Sequence, residues 1–238
     1  MKTVFLAGGS GLVGQALLQQ LLSDASVGRI EAAVRRPLPI QSNRLHELPL
    51  DASFFGLSID EAYICLGTTI KTAGSQAAFR AVDVDLVCAL AQRLRAAGVK
   101  RLAVISSLGA SPKGSFYLRC KAEMEAALSA MGFECLVIVR PSFLLGQRSE
   151  LRIGERFALA CAAVLMPVIP KKYRPIPAER VAASMRAALP TGSGVCVLEN
   201  DAIFVQFLQL YLICPRFKKI FYLAAITKYD RVETSYSA

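Results

Sequence analysis

Three glycines, Gly8, Gly11 and Gly14, recur at three-residue spacing between an apolar run and a segment of helical periodicity. A turn built on glycine tolerates positive φ, and the missing Cβ atoms let a pyrophosphate come against the backbone. The helix that follows offers its first N–H groups and the positive end of its dipole. That chemistry is dinucleotide binding. Leu12 and Val13 belong to the same turn, and Ser10 is either a further phosphate donor or a plain turn residue. About 20 residues on, where an acid would bind a ribose 2′-hydroxyl, stand Arg35 and Arg36 instead. Two guanidiniums at that place suit a 2′-phosphate, through forked charge-assisted hydrogen bonds and stacking on adenine, and favour NADP(H) over a reading as plain surface charge. Glu31 comes too early in the same run to reach the ribose and is expected to be an exposed residue at the strand start.

A second constellation is Tyr117 and Lys121, four residues apart on one helix face, preceded by Ser106 and Ser107 at the end of an apolar run. Reducing a carbonyl needs a hydride, which a nicotinamide carries, and a proton for the developing alkoxide. Tyr117 is placed to donate that proton. A free phenol titrates at about 10, and the Lys121 ammonium favours its ionised form while also reaching a ribose. Ser107 would orient the carbonyl, with Ser106 the open alternative. The spacing alone is a weak signal, but strand C-terminal ends line the ligand crevice of a doubly wound sheet, which is where these serines fall. Thr68 and Thr69, after Gly67, close another strand and line the same crevice. Asp51 either faces adenine or starts a turn. Asp83 and Asp85 read as surface or capping residues, and His46 as exposed. Cys65 and Cys120 read as buried small apolar residues, with no base in view.

These groups need elements to hold them. Apolar runs at 3–7, 30–34, 62–66, 101–105, 134–139 and 194–199 predict strands, and helical periodicity predicts helices over 12–22, 77–97, 116–131, 155–165 and 177–189. Gly98 and Gly132 are placed to stop two of the helices. Strands with few polar positions, alternating with helices, predict an α/β fold: a Rossmann-like, doubly wound, mainly parallel sheet of about seven strands with helices on both faces. Residues 1–200 form that domain, and 141–176 supply a small wall for a substrate cleft. Residues 201–238 change composition abruptly, concentrating Phe and Tyr, and form an apolar tail.

The chain has 238 residues, 54% of them apolar and 19% charged, which excludes a disordered or collagen-like chain. Its net charge of +10 suits a solvated surface or an anionic ligand. No helix-turn-helix signature or basic-aromatic interleaving points to specific nucleic-acid binding. No apolar stretch reaches the roughly 18 residues of a membrane span, and the first residues read as a strand, not a signal peptide. Seven scattered cysteines with no C-x-x-C pair, and a single histidine, predict reduced thiols, no metal site and a cytoplasmic location.

The segments AGGSGLVG, AVRRP, YICLGTT, FRAVDVD, VISSLGAS, FYLRCKAEMEAAL and IVRPSFLLGQR occur in that order over about residues 1–200. In them the chain resembles the short-chain dehydrogenase/reductase superfamily, and more closely its atypical branch of Tat-interacting-protein-like oxidoreductases. The resemblance implies an NADPH-dependent reductase fold with Ser107, Tyr117 and Lys121 at the catalytic positions. It implies cofactor contacts at Gly8 to Gly14, Arg35, Arg36, Leu66, Gly67, Thr68, Pro141, Ser142 and Phe143. The expected activity is reduction of a small carbonyl substrate, with a regulatory or scaffold protein of little or no turnover as the alternative. The tail either has no evolved role or serves self-association or weak binding to a membrane surface.

Overall fold

The computed structural model describes residues 1–145 and 170–203. At its centre lies β1 (Lys2–Ala7), in which Val4, Phe5, Leu6 and Ala7 are all fully buried. An uninterrupted apolar run of this kind belongs to a strand covered by helices on both faces. After α1 (Leu12–Leu22) the chain adds β2 (Val27–Val34) and β3 (Leu45–Pro49) on one side of β1. It then crosses to the other side for β4 (Glu61–Ile64), β5 (Arg101–Ile105) and β6 (Cys135–Arg140). A short ladder pairs β7 (Leu144–Leu145) with β8 (Ile176–Pro177), and β9 (Gly194–Glu199) completes the main sheet. That sheet has seven strands in the order β3, β2, β1, β4, β5, β6, β9, every neighbouring pair parallel. The strand order reverses between β1 and β4, so a crevice opens beyond their C-terminal ends.

Alternate residues of the strands from β3 to β6 feed two cores, whereas the edge strand β9 feeds one and leaves Val195 and Val197 exposed. One lies under α1 and α6 (Ala178–Thr191), and the other under the helices that lead into and out of β5. The expected helix over 77–97 is in fact several pieces. After a short α2 (Ile70–Ala73), they are α3 (Gln76–Arg80), a π-helical turn (Ala81–Leu86) and α4 (Val87–Ala96). Thr69 and Ser75 cap α2 and α3 with side-chain oxygens that accept the N–H of Thr72 and Ala78, at 3.1 and 3.0 Å. Gly98, at φ +88°, ends the run as its sequence position predicts. On the far side of β5, α5 (Phe116–Ser129) is capped by Ser115.

Glu31 corrects the expectation of an exposed strand start. It is fully buried and paired with Arg29, because β2 is an interior strand whose middle positions face helices or neighbouring loops. His46 is half-buried on β3 in register with Glu31, not exposed. After β9 a helical turn brings Asn200 and Ile203 into full burial, so the folded domain runs to at least residue 203. The expected helix over 155–165 and the tail from 204 lie outside the described residues. Among the described residues no helix is long and apolar enough to cross a membrane.

Candidate active site

The glycine turn sits at the C-terminal end of β1, at the mouth of the crevice. Gly8 has φ +85°, and a Cβ there would fall 2.5 Å from the carbonyl carbon of Cys65. A Cβ on Gly14 would fall 2.0 Å from the Gly8 oxygen, so α1 can start this close to the turn only with glycine at that position. Gly11 is different: exposed, donating its N–H to Gly8 O at 3.0 Å, and with only ordinary contacts facing an added Cβ. It is also the N-cap of α1, without a side-chain hydrogen bond and with no acidic residue in the first turn. Ser10 beside it is exposed. The uncapped N–H groups of α1 and a backbone stripped of Cβ atoms fit a phosphate group. Arg35 and Arg36 follow β2 directly; both are exposed, and neither has a partner among the described residues.

Across the switch point, Cys65, Leu66, Gly67 and Thr68 continue β4 into the crevice. Burial pushes the Cys65 thiol up to about 12, which leaves it a packing residue and no nucleophile. Thr68 donates its N–H to Asp83 Oδ2 at 2.8 Å, and Asp83 Oδ1 lies 2.7 Å from Lys121 Nζ. Both charged side chains are buried. Asp83 is therefore no surface or capping residue, whereas its neighbour Asp85 is exposed, 3.8 Å from Arg80. Tyr117, one turn before Lys121, is half-buried and packs on Phe79 with ring centroids 5.3 Å apart.

Ser106 is buried, and its hydroxyl donates to Glu125. Glu125 also accepts from Arg140 Nε at 2.9 Å, and Arg140 Nη1 donates to Glu199 at 2.8 Å. Hydrogen bonds to Glu125, and with them those to Glu199, bind the proton of Arg140 still more firmly. The network commits Ser106 to joining α5, β5 and β6. Ser107 is half-buried at the strand end, its hydroxyl 3.4 Å from the Leu108 carbonyl. Of the two serines it is the one whose hydroxyl no charged group holds.

At the end of β6, Pro141 is buried and Phe143 exposed. Ser142 between them is committed elsewhere: its N–H goes to Asn200 Oδ1 at 2.9 Å and its hydroxyl to the Arg174 carbonyl. Asn200 also donates to the carbonyls of Lys171 and Arg174, at 3.2 and 2.9 Å, and so ties both ends of the cleft wall to β9. Sequence reasoning read Asp83 as a surface or capping residue and passed over Glu125, Arg140, Glu199 and Asn200. One signal was present, since Tyr117, Lys121 and Glu125 repeat at four-residue intervals, a polar stripe on one face of α5.

Comparison with known proteins agrees with this fold. No family model matches the chain. Protein HTATIP2 of Rattus norvegicus is 32% identical over 214 residues, which span 85% of this chain and 88% of that one. "Protein FMP52, mitochondrial" of Coccidioides immitis is 34% identical over 174 residues, 65% of this chain and 71% of that one. Among solved structures, the Bordetella bronchiseptica enzyme WbmH in complex with NAD+ has a TM-score of 0.64 at 14% identity, covering 84% of this chain and 75% of that one. MoeE5 in complex with UDP-glucuronic acid and NAD has a TM-score of 0.61 at 18% identity, covering 83% and 76%. The solved structures share the fold; the sequence relatives, matched over most of both chains, place the protein more narrowly. The chain belongs to the atypical short-chain dehydrogenase/reductases, in the group of HTATIP2.

Proposed function

We propose that the protein is an NADP(H)-binding oxidoreductase that reduces a small carbonyl compound. What supports this reading is a Cβ-free turn after β1, two exposed arginines after β2 with no partner among the described residues, and an α5 beyond β5 that carries Tyr117 and Lys121. Gly8 to Gly14 would hold the pyrophosphate, Arg35 and Arg36 the 2′-phosphate, and Leu66 to Thr68 the stretch beyond it. When bound, the reduced nicotinamide supplies the hydride. Ser107 orients the substrate carbonyl by a hydrogen bond, and Tyr117 delivers its phenolic proton to the developing alkoxide. Lys121 holds the ribose and stabilises the phenolate left behind. Pro141 and Phe143 add apolar contact, while Ser142 acts through the cleft wall.

The test is NADPH oxidation by the full chain across a panel of small aldehydes and ketones. Tyr117→Phe should lower turnover by about 100- to 10,000-fold and leave NADPH binding intact. Wild-type turnover in that variant would refute the mechanism. A second reading draws on the Asp83–Lys121 pair: an ammonium already compensated by a carboxylate gives Tyr117 less electrostatic help, as suits a regulatory protein that binds NADPH with little turnover. Tight NADPH binding with no oxidation on any member of the panel would favour it. The free, buried or half-buried cysteines of the described residues suit a reducing compartment, which we take as the cytoplasm, although the FMP52 relatives are named mitochondrial. The aromatic tail is assigned to self-association or to a membrane surface.

A further inference from the structure

Two features of the site have no part in the proposed proton transfer: the burial of a full charge pair, and the π-helical turn that carries one half of it. Lys121 is 2% exposed and Asp83 is fully buried. Withdrawing two charges from water is costly unless both are well partnered. Asp83 divides its carboxylate, Oδ1 against Lys121 Nζ at 2.7 Å and Oδ2 accepting the Thr68 N–H at 2.8 Å. A Cβ on Gly67 would stand 3.5 Å from Asp83 Oδ1 and 4.0 Å from Lys121 Nζ, so the pair lies directly against the Leu66–Thr68 loop. The flanking helices meet in two matched rungs, Phe79 on Tyr117 and Asp83 on Lys121, each four residues after the last. The second rung falls inside the π turn, Ala81–Leu86, where the helix is locally widened.

Sheet order says which end of a dinucleotide this corner serves. With Arg35 and Arg36 after β2 and the phosphate turn after β1, a bound molecule runs on over β4 and β5, towards Gly67, Lys121 and Ser107. The nicotinamide ribose of a bound dinucleotide would fall there. We infer that Asp83 is a positioning residue: it fixes the Lys121 ammonium against the Leu66–Thr68 loop, so that the lysine meets the nicotinamide half of the cofactor preorganised. The inference rests on the NADP(H) reading above. Other charged groups around this corner are engaged elsewhere. From α3, Arg80 pairs with Glu123 and lies near Asp85; from β6, Arg140 pairs with Glu125 and Glu199. Among the described residues Asp83 is the carboxylate paired with Lys121.

The test is calorimetric titration of the full chain with NADPH and with adenosine 2′,5′-bisphosphate, which keeps the adenine end and lacks the nicotinamide ribose. Asp83→Asn should weaken NADPH binding by about tenfold or more and leave the bisphosphate affinity unchanged. Lys121→Met should give the same pattern, and the double variant should bind NADPH no worse than Lys121→Met alone. Equal losses for both ligands, or a loss from Asp83→Asn that persists undiminished on top of Lys121→Met, would overturn the inference. If the unpaired ammonium of Asp83→Asn prevents folding, Asp83→Glu keeps the charge but displaces the ammonium, and the same outcomes decide. A wild-type chain that binds neither ligand would instead remove the NADP(H) reading on which the inference stands.

Discussion

Gly14 carries the tightest steric demand in the site. A single methyl there would overlap the Gly8 oxygen at 2.0 Å, so Gly14→Ala must push α1 away from the turn. Overpacking of this kind costs about 1 to 3 kcal/mol, and the displaced N–H groups should lose NADPH as well; thermal melting together with NADPH titration checks both. The cysteines give a second prediction at this scale. Burial holds Cys65 up at about 12 and raises Cys120, so both stay protonated thiols at neutral and mildly alkaline pH. Alkylation at mildly alkaline pH followed by peptide mapping should leave these two unmodified in the native protein and label them after denaturation. Native labelling of Cys65 would mean that the β4 end is open to solvent. Residue types at fixed spacing marked the glycines, the arginines, Tyr117 and Lys121 as candidates in the sequence, because the chemistry proposed for each is local. Asp83 was not legible: its burial comes from a helix register that a π turn shifts, and residue spacing carries no sign of that turn.

Among the elements, α5 carries Tyr117, Lys121 and Glu125, the lysine buried against Asp83 beside Gly67 and the glutamate directed to the sheet. Glu125 receives hydrogen bonds from Ser106 and Arg140, so it fastens the helix to the ends of β5 and β6. Glu125→Ala leaves the partly buried Arg140 with Glu199 alone, and breaking a buried pair in this way costs about 3 to 5 kcal/mol. Chemical denaturation should show a lower midpoint, and a loss within error would mean that the network is held by other contacts. Strand and helix existence was largely legible from apolar runs and glycine stops. The strand Leu45–Pro49 was not, since an edge strand tolerates polar positions and L-H-E-L-P shows no apolar run. The break of one long helical pattern into α3, the π turn and α4 was hidden for a related reason: apolar periodicity continues through it.

For the molecule as a whole, the domain boundary moves a few residues past the change in composition. Truncation after Asn200 removes Ile203, which is fully buried in the core that α1 and α6 cover, and should destabilise the domain by about 2 to 5 kcal/mol. Truncation after Ile203 should leave melting and NADPH affinity unchanged, with any effect confined to oligomeric state or vesicle binding, read by light scattering and liposome flotation. Composition marked the body and the tail as different, but it could not show that a helical turn past β9 still packs into the core. The central claim, that the crevice holds NADP(H) and that Arg35 and Arg36 choose it, is tested most directly by calorimetry of NADPH and NADH against the wild-type chain and the Arg35→Ala/Arg36→Ala double variant. NADPH should bind the wild type at least about tenfold more tightly than NADH. The double variant should lose about 1.5 to 3 kcal/mol per charged hydrogen bond for NADPH alone. Equal affinities for the two cofactors, unchanged by the substitutions, would contradict the account.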